Sequence, residues 1–415
     1  MAHSIGTRAA WGPVIQSKPE RCPFCDGRQI IKRGLRKNSY RHLQIYWCRD
    51  CGKYFSPLAG VKHVKYPPRL IARALCLYNL GYSEMETARR IAAEHRITVP
   101  RRTLSDWIRG CRLITTFCHL RSASVRQFSR QMLRGRTLEH QQVYEYKVHV
   151  AKLALAEGNL STHATERIKE YLLSVFSGNF PDSLFQTDEP YAGNEQSGTP
   201  RDTSGSIRRL RSSESNFETL PITPVAKQNL ANDLAALGLL MARRNKDRHS
   251  CVQEFMLAND SCTIASEVPV YLAGNEIDAY RSRGFFIDLP QVSKPITGHI
   301  DVVQVRNGFI HLLDYKPNAA TIDPVNQLIV YALALAARTR LPVKTFKCAW
   351  FDEKDYFEFF PLQAVWPKTT SRMESREFFK QSAMNSFQPR QATRSEAKVP
   401  CLLSLLENLK TDCPR

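Results

Sequence analysis

The chain has 415 residues, 43% of them hydrophobic, and its 59 Lys and Arg against 39 Asp and Glu give a formal net charge of +20. The apolar content excludes a fully disordered protein and predicts two or three compact domains. The charge favours nucleic acid as the partner, ahead of an acidic protein or a membrane surface. No apolar run approaches the roughly 20 residues of a membrane-spanning helix, so we expect a cytoplasmic, DNA-associated protein without membrane contact.

Two CxxC pairs stand in residues 16–60, after a tail at residues 1–15 that we expect to be loose. Each CxxC turn presents two thiolates on one side, and two such turns complete a tetrahedral sulfur site that suits zinc. Four reduced cysteines or a redox pair are the alternative, but a redox CxxC normally occurs alone. A site closed by four thiolates has no open position, so we predict a structural Zn²⁺. Its ligands are Cys22, Cys25, Cys48 and Cys51.

Basic and aromatic residues surround these cysteines. From Arg21 to Arg73 there are thirteen Lys or Arg and two acidic residues. The interleaved aromatic residues are Tyr40, Tyr46, Trp47, Tyr54 and Phe55. A run of charge is often just a solvated surface, but beside two zinc knuckles it favours nucleic-acid binding.

Residues 64–112 have the pattern of three helices, with turns at Gly81 and at residues 98–100. Ser83 and Glu86 predict a capping box at the start of the second helix. In the third helix, one stripe at i, i+3, i+4 and i+7 is apolar and is expected to be buried: Leu104, Trp107, Ile108 and Cys111. A packed back and a polar front are what a helix-turn-helix needs, although a three-helix module without DNA would share the pattern. The residues predicted to contact DNA are Arg101, Arg102, Ser105 and Arg109.

A family resemblance covers residues 18–112. The stretches CPFC, CRDCGKYF, LYNLGYSEMETARRI and VPRRTLSDWI resemble the zinc ribbon and helix-turn-helix at the front of insertion-sequence transposases. The resemblance implies DNA binding. It does not carry over transposase chemistry, because the catalytic acids of that family lie in a separate domain.

The rest of the chain divides by composition. Residues 113–182 have helical periodicity and are predicted to be packing helices, and residues 183–221, poor in large apolar residues, are predicted to be a flexible linker. Residues 222–365 alternate between strand and helix patterns, and residues 366–415 are expected to be a mostly disordered tail. The predicted elements are a leucine-rich helix from residue 230, strands at 263–272, 298–305, 309–316 and 344–351, and a helix at 324–338.

One hairpin, GHIDVVQVRNGFIHLLDYKP at residues 298–317, carries an aspartate on each of two apolar strands. With Asn307-Gly308 as a type I′ turn, Asp301 lies directly opposite Asp314, and period-2 alternation places Lys316 on the same face. Like charges in such a pair are destabilising. An exposed hairpin neutralised by Lys316 is one resolution, but both faces are apolar, and buried carboxylates need a cation. Oxygen ligands in an incomplete cage favour Mg²⁺ or Mn²⁺.

The hairpin and its neighbours resemble the PD-(D/E)XK nuclease superfamily, in particular its RecB-like branch, over residues 222–362. The resemblance lies in GHID, DYK, NQLIVYALAL and EVPVYL. It implies that Asp301 and Asp314 bind Mg²⁺ and that Lys316 orients or activates the attacking water. Gln327, Tyr331 and the upstream acid Glu267 complete the implied catalytic set, with Glu254 as a competing upstream acid.

Other candidates are predicted to have no role at this site. Three cysteines, Cys251, Cys262 and Cys348, do not have the arrangement of the iron–sulfur members of this branch, so no cluster is expected. His149 and His249 are interpreted as ordinary helix residues.

The whole sequence therefore predicts a multidomain α+β protein: a zinc ribbon, a helix-turn-helix region and a C-terminal α/β domain of the restriction-endonuclease type. The predicted function is that of a DNA-binding, Mg²⁺- or Mn²⁺-dependent deoxyribonuclease. The alternative is a non-catalytic DNA-binding regulator, or a transposition accessory protein, with an inactive nuclease fold. Strand preference, endo or exo cleavage, sequence specificity, pathway, protein partners and oligomeric state stay open.

Overall fold

The computed structural model describes residues 22, 25, 27–37, 42–55, 66–186, 211–289 and 294–367. The predicted N-terminal tail, the centre of the predicted linker and nearly all of the predicted C-terminal tail lie outside this part of the chain. The strands are β1 (Ile30–Lys37), β2 (His42–Cys48), β3 (Tyr54–Phe55), β4 (Leu133–Glu139), β5 (Val143–His149), β6 (Val225–Ala226), β7 (Thr263–Leu272), β8 (Ile296–Arg306), β9 (Phe309–Tyr315), β10 (Phe346–Phe351) and β11 (Tyr356–Phe359).

The helices divide between the two sides of the gap at residues 187–210. Before the gap they are α1 (Pro68–Asn79), α2 (Glu84–His95), α3 (Arg101–Gly110), α4 (Arg121–Phe128), α5 (Val150–Leu155) and α6 (Thr162–Phe176). After it they are α7 (Leu230–Leu239), α8 (Arg248–Asn259), α9 (Gly274–Ser282), α10 (Val325–Thr339) and α11 (Pro361–Val365). In the described part of the chain, no helix is both long and apolar enough to cross a membrane.

A small antiparallel sheet, in the order β1-β2-β3, holds the paired cysteines. Its register shifts between Lys32 and Leu35, where Gly34 has a φ of 100°. That left-handed conformation favours glycine and is typical of a β-bulge. Among the residues that the structure describes here, the buried core of the sheet is small: Cys22, Ile30, Tyr46, Cys48 and Phe55. A core of this size needs an additional stabilising element, such as a metal ion.

The three helices predicted between residues 64 and 112 are present as α1, α2 and α3. The predicted capping box is confirmed, because Ser83 Oγ accepts from Glu86 N at 3.2 Å and Ser83 N donates to Glu86 Oε2 at 3.0 Å. The predicted buried stripe is confirmed for Leu104, Trp107 and Cys111, whereas Ile108 is half-buried. Helix–turn–helix geometry is thus compatible with this region, but the fold alone does not establish DNA binding.

A mixed sheet of eight strands forms the centre of the molecule, in the order β4-β5-β7-β8-β9-β10-β11-β6. Its neighbouring strands are antiparallel except β9 and β10, which pair in parallel from Phe346 opposite Ile310 to Phe351 opposite Tyr315. Parallel neighbours need a crossover connection, and α10 supplies it. The strands predicted near β7, β8, β9 and β10 are confirmed, as are the helices predicted at α7 and α10.

The prediction that residues 113–182 form packing helices is wrong for residues 133–149. These residues form β4 and β5, and β5 joins the large sheet through Lys147 opposite Ser266 and Val148 opposite Ala265. The side chains of Tyr146 and Val148, two residues apart, are buried, as expected of a strand. Aromatic and β-branched residues favour strands, and pairing with β7 overrides the helical pattern that continues into α5.

Helices cover both faces of the large sheet. Buried residues of α1, α7 and α8 form one core with Val302, Leu313 and Ala349. Residues of α6 and α10 form a second core with Val303 and Leu312, which are the chain neighbours of Val302 and Leu313 and so lie on the opposite face. The helix-turn-helix region therefore packs on the helices that cover the sheet.

Part of the predicted linker is packed. Ser212 and Phe217 are buried, and Leu220 N donates to Ala364 O at 2.9 Å. Arg211 forms a bridge to Thr297 of β8. The flexible linker prediction is therefore wrong for residues 211–221, which lie against the same sheet that β4 and β5 join. It is also wrong for residues 183–186, where Phe185 is buried in the core.

Candidate functional site

Four cysteine thiols converge at the small sheet. Cys22 Sγ lies 3.7 Å from Cys51 Sγ, and Cys25 Sγ lies 3.7 Å from Cys48 Sγ. A tetrahedron with metal–sulfur bonds of about 2.3 Å has edges of about 3.8 Å, so these separations fit Zn²⁺. Among the residues that the structure describes, these four form the group of His, Cys, Asp or Glu whose ligand atoms all lie within 4.8 Å of one another. The predicted four-cysteine group is present and can hold a zinc ion.

The electrostatics of the thiols agree with that fit. The backbone hydrogen bond of Gly27 lowers the pKa of Cys25, but the crowding of Cys51, Cys48 and Cys22 and some burial together raise it to about 12. Four thiolates this close repel one another unless a cation lies among them. The spacing of the cluster is therefore compatible with a bound metal ion.

The hairpin that carries the two aspartates has the predicted geometry. Asn307 has a φ of 53° and Gly308 a φ of 79°, the left-handed pair of a type I′ turn. Arg306 pairs with Phe309, and the register continues to Val302 opposite Leu313. The next pair that this register would give is Asp301 and Asp314, and the charge of Asp301 acts on the Asp314 carboxyl group.

A third carboxylate extends this pair onto β7. Ser266 pairs with Val302 and Val268 with Ile300, so Glu267 falls opposite Asp301. Its φ of 52° is rare for a residue other than glycine, and such strain, on the order of 1 to 3 kcal/mol, is often found at functional sites. Gln253 of α8 donates to Glu267 Oε1 at 2.7 Å. We call Glu267, Asp301 and Asp314, on three neighbouring strands, the acid row.

Glu254, the competing upstream acid, forms an ion pair with α1 and not with the acid row. Its Oε1 lies 3.0 Å from Arg73 Nη1 of α1, in an ion pair that joins the helix-turn-helix region to α8. Glu267 is therefore the upstream acid that the fold brings to Asp301.

The three carboxyl groups of the acid row have different protonation properties. Burial, and then the charge of Asp301, raise the pKa of Glu267 to about 8 and that of Asp314 to about 7. Burial also opposes ionisation of Asp301, but its hydrogen bond with His249 and the charges of His249 and Lys316 hold the pKa of Asp301 below its ordinary value. Asp301 is thus the ionised member, and its neighbours retain protons near neutral pH unless a cation is present.

Cationic and polar groups hold the side chains of Asp301 and Asp314 in position. Lys316 Nζ lies 2.8 Å from Asp314 Oδ2, and the backbone N–H of Tyr315 donates to Asp301 Oδ2 at 2.9 Å. Burial opposes the charge of Lys316, but Asp314 raises the pKa of the lysine above its ordinary value, so it stays protonated. His249 Nδ1 lies 3.3 Å from Asp301 Oδ2.

His249 is a site residue that sequence reasoning missed, because the prediction treated it as an ordinary helix residue. Nothing in the sequence pattern places α8 against the hairpin, so this contact depends on the tertiary fold. His149, by contrast, is buried, and its Nδ1 accepts from Lys152 N at 3.3 Å at the start of α5.

Gln327 and Tyr331 lie on one face of α10, where Gln327 Nε2 donates to the Tyr331 hydroxyl at 2.7 Å. The charges of Asp314 and, more weakly, Asp301 act on this hydroxyl. Gly298, in the GHID motif, allows the close approach, because a Cβ there would lie 2.5 Å from Tyr331 Cε1 and 2.3 Å from Ser212 Oγ. The glycine therefore lets α10 and the residues after the gap meet at β8.

A second group of site residues comes from the β4–β5 hairpin. The rings of His299 and Tyr144 stack with centroids 3.6 Å apart, and His299 Nε2 lies 2.8 Å from His140 Nδ1. His140 Nε2 lies 3.1 Å from Asp182 Oδ1. Burial, and next the charge of His140, lower the pKa of His299 to about 3, so this histidine is neutral. Sequence reasoning missed these contacts because it assigned the hairpin to helices.

The carboxylates of the acid row are more widely spaced than the thiols of the cysteine cluster. Within the described residues, its three carboxylates do not meet the 4.8 Å spacing that the four thiols meet. The row offers instead the adjacent pair Asp301 and Asp314, and Mg²⁺ commonly takes one or two carboxylates and completes its shell with water. Burial, and next the charge of Asp301, raise the pKa of Asp314 even though Lys316 lies beside it, so the predicted Mg²⁺ or Mn²⁺ at this pair stays a prediction.

The residues predicted to contact DNA lie on α3, but three of them make internal contacts. Arg101 Nε and Ser105 Oγ each lie 2.9 Å from Glu84 Oε2 of α2. Arg109 is 63% exposed and lies 3.7 Å from Asp106, and Arg102 is exposed. The outward face of α3 thus offers Arg102 and Arg109, and the DNA contact itself stays a prediction.

Glu267 should make stability depend on pH. Its folded-state pKa of about 8 lies above the unfolded value of about 4.3, so its stabilising contribution is complete below about pH 4 and is lost as pH rises through about 8. With zinc retained and no Mg²⁺ or Mn²⁺, the Tm of the wild type should fall relative to that of Glu267→Gln between about pH 5 and about pH 9. Thermal unfolding measures this difference, and Glu166→Gln, an exposed site on α6, is the control. If Tm changes with pH in the same way for the wild type and for Glu267→Gln, the raised pKa assigned to Glu267 is wrong.

Comparison of the chain with models of known protein families, with curated proteins and with solved structures finds no significant match to any of them. The fold is a mixed α/β architecture with a large mixed sheet and a four-cysteine cluster near the N-terminus. The function has to be argued from the site itself.

Proposed function

We propose that this protein is a DNA-binding nuclease that hydrolyses phosphodiester bonds with the help of Mg²⁺ or Mn²⁺. The observation that supports the proposal most is the acid row with Lys316 beside it. A fold requires no such arrangement for stability, since it gathers like charges on three neighbouring buried strands. It resembles the set of two metal-binding acids and a lysine that the sequence motif implies.

Asp301 and Asp314 would hold the ion. A bound divalent ion relieves the repulsion between the carboxylates, acidifies a water molecule and offsets charge that develops on the phosphate. His249 and the backbone N–H of Tyr315 fix the orientation of Asp301. Because Lys316 stays protonated, its role is to orient the attacking water or the phosphate as a hydrogen-bond donor and not to remove a proton.

The positive net charge and the two predicted DNA-binding regions would bring DNA to the acid row. A net charge of +20 attracts nucleic acid over several ångströms at low salt. The ribbon and the helix-turn-helix region would retain the protein on DNA and so raise the local concentration of phosphodiester bonds at the acid row.

The test is cleavage of labelled single- and double-stranded DNA by the purified full chain, with Mg²⁺, with Mn²⁺ or with neither. We expect the wild type to cleave only when an ion is added, Asp314→Asn to bind DNA without cleaving it, and Lys316→Ala to be slower by about 10²-fold or more. Binding measured in parallel shows that each variant is folded. If all three proteins bind DNA and none cleaves it with either ion, the protein is a non-catalytic DNA-binding regulator.

A further inference from the structure

The helix-turn-helix region shares a hydrophobic core with the sheet that carries the acid row. Buried residues of α1, α2 and α3 lie in one cluster with buried residues of α7, α8 and the central strands. Leu75, Ile91 and Leu104 come from the three helices, and Val302 and Leu313 come from the hairpin of the acid row. Domains move relative to one another unless their interface is large and hydrophobic. Because this interface is a common core, the helix-turn-helix region and the acid row belong to one unit.

Helix α8 contacts the acid row and the helix-turn-helix region at the same turn. Gln253 Nε2 donates to Glu267 Oε1 at 2.7 Å, and the next residue, Glu254, pairs with Arg73 of α1 at 3.0 Å. Adjacent residues of a helix point about 100° apart, so a single turn of α8 lies between the two regions. An α-helix with its side chains is about 10 to 12 Å across, and this width sets the separation between α1 and the acid row.

Two further contacts hold the helix-turn-helix region against the end of α8. Asn79 Nδ2, at the end of α1, donates to Asn259 Oδ1 at 2.8 Å, and both side chains are buried. After α3, Thr116 Oγ1 accepts from the backbone N–H of Ser261 at 2.9 Å. A buried hydrogen bond stabilises one arrangement, because displacement leaves its polar groups unsatisfied. The region is therefore attached through its first helix and through the segment that follows its third.

The outward side of α3 lies opposite this core. Leu104 and Trp107 are buried, whereas Arg102 is exposed and Arg109 is 63% exposed. Neighbouring helix axes lie about 8 to 10 Å apart, so α3 adds one such spacing to the width of α8. With the side chains included, the outward side of α3 and the acid row are about 20 to 30 Å apart, the length of about six to nine base pairs at 3.4 Å each.

We propose that this protein cuts duplex DNA internally, at a fixed distance from the base pairs that the helix-turn-helix region contacts. The inference rests on the proposed nuclease function and adds to it the class of substrate and the position of the cut. A catalytic site on a flexible linker would sample many positions along DNA, because such a linker behaves as a random coil. A site held in the same core as the DNA-binding helix reaches phosphodiester bonds at one distance only. The bound sequence, and not the sequence at the cut, then determines where cleavage occurs.

The first test selects short duplexes with a randomised centre by binding to the full chain in the Asp314→Asn background. An enriched motif is placed in a closed circular plasmid, which has no strand ends for an exonuclease, and the wild type is added with Mg²⁺ or Mn²⁺. We expect cuts at one distance from the motif, within about one turn of the duplex, or about 10 base pairs. When the motif is moved along the plasmid, the cut should move with it. A cut that stays in place would overturn the inference.

A double variant tests the outward side of α3. Arg102→Ser with Arg109→Ser should lower the affinity for the motif by about 10-fold or more, and the remaining cuts should lose their common position. The matched control, Lys169→Ser with Arg283→Ser, removes the same charge from exposed positions on α6 and after α9, which pack in the core on the opposite face of the sheet. The control should keep both affinity and position. An equal loss in the two variants would reduce the effect to net charge and overturn the inference.

Native-state hydrogen exchange tests the shared core without any cleavage. Buried amides of α1 and of α8 should open with the same free energy in the wild type, because neither helix can unfold without exposing the core of the other. If α1 opens at a much lower free energy than α8, the two regions are not one unit and the fixed distance is wrong.

The outcomes distinguish the inference from the function on which it rests. Wild-type cleavage at positions unrelated to the motif, or only from the ends of linear duplexes, would overturn the fixed distance and leave the nuclease. Cleavage without enrichment of any motif would do the same. If a motif is enriched but the wild type cuts with neither ion, the nuclease proposal fails and the inference fails with it.

Discussion

Replacing Cys48 with serine should unfold the small sheet and leave the large sheet folded. The four thiols converge at the small sheet, and among the described residues its buried core adds Ile30, Tyr46 and Phe55 to the cysteines. In small domains of this kind the free energy of zinc binding, about 10 to 16 kcal/mol near pH 7, is also the free energy of folding. We therefore expect the variant to lose its bound zinc, and β1, β2 and β3 to lose protection from hydrogen exchange.

Zinc content by mass spectrometry and site-resolved hydrogen exchange would measure both effects. Cys118→Ser is the control, since Cys118 lies outside the cluster and should leave one zinc ion bound. A Cys48→Ser protein that keeps stoichiometric zinc, or a small sheet that stays protected without it, would show that these cysteines do not form the metal site.

Replacing Lys152 with alanine should lower the free energy of unfolding by about 3 to 5 kcal/mol, because it leaves a buried carboxylate without its cation. Lys152 on α5 and Asp260 at the end of α8 are both fully buried, with Nζ 3.5 Å from Oδ1. Lys152 Nζ also donates to Leu257 O at 2.7 Å. Asp260 in turn accepts hydrogen bonds from the backbone at the start of β7 and from Gln304 of β8.

Denaturant unfolding of the variant, with zinc present throughout, would measure the loss. Lys169→Ala, on the exposed side of α6, should change the free energy of unfolding by less than about 0.5 kcal/mol. If Lys152→Ala unfolds at the same denaturant concentration as the control, then Asp260 keeps its hydrogen bonds and adapts without the lysine.

Local patterns predicted those features that depend on local geometry. The two-residue turn at Asn307-Gly308 determines the register of its hairpin, and with it the meeting of Asp301 and Asp314. The Ser83–Glu86 pattern predicts a helix start because that interaction takes place within a few residues. Each CxxC pair is equally local, and the need of a metal ion for four ligands predicts that the two pairs meet.

Contacts between distant parts of the chain could not be predicted in this way. The helical pattern of VYEYKVHVAKLALAE is equally compatible with a strand that runs into a helix, and pairing with Ala265 decides between them. The same is true of His249, whose contact with Asp301 depends on how α8 packs against β8. No local sequence pattern predicts the strained backbone at Glu267.

The pairing of β5 with β7 also determines which part of this chain is a self-sufficient unit. A fragment that begins at residue 211 would have β7 as an uncovered edge, ten residues long and mostly apolar, with Pro269 as its main safeguard against intermolecular pairing. Such a fragment would also lack Lys152, the cation that pairs with the buried carboxylate of Asp260. The acid row would then begin on the exposed edge strand itself, because Glu267 lies on β7. A break between residues 187 and 210 would therefore separate β7 from β5 and Asp260 from Lys152, so we expect the two parts of the chain to fold as one unit.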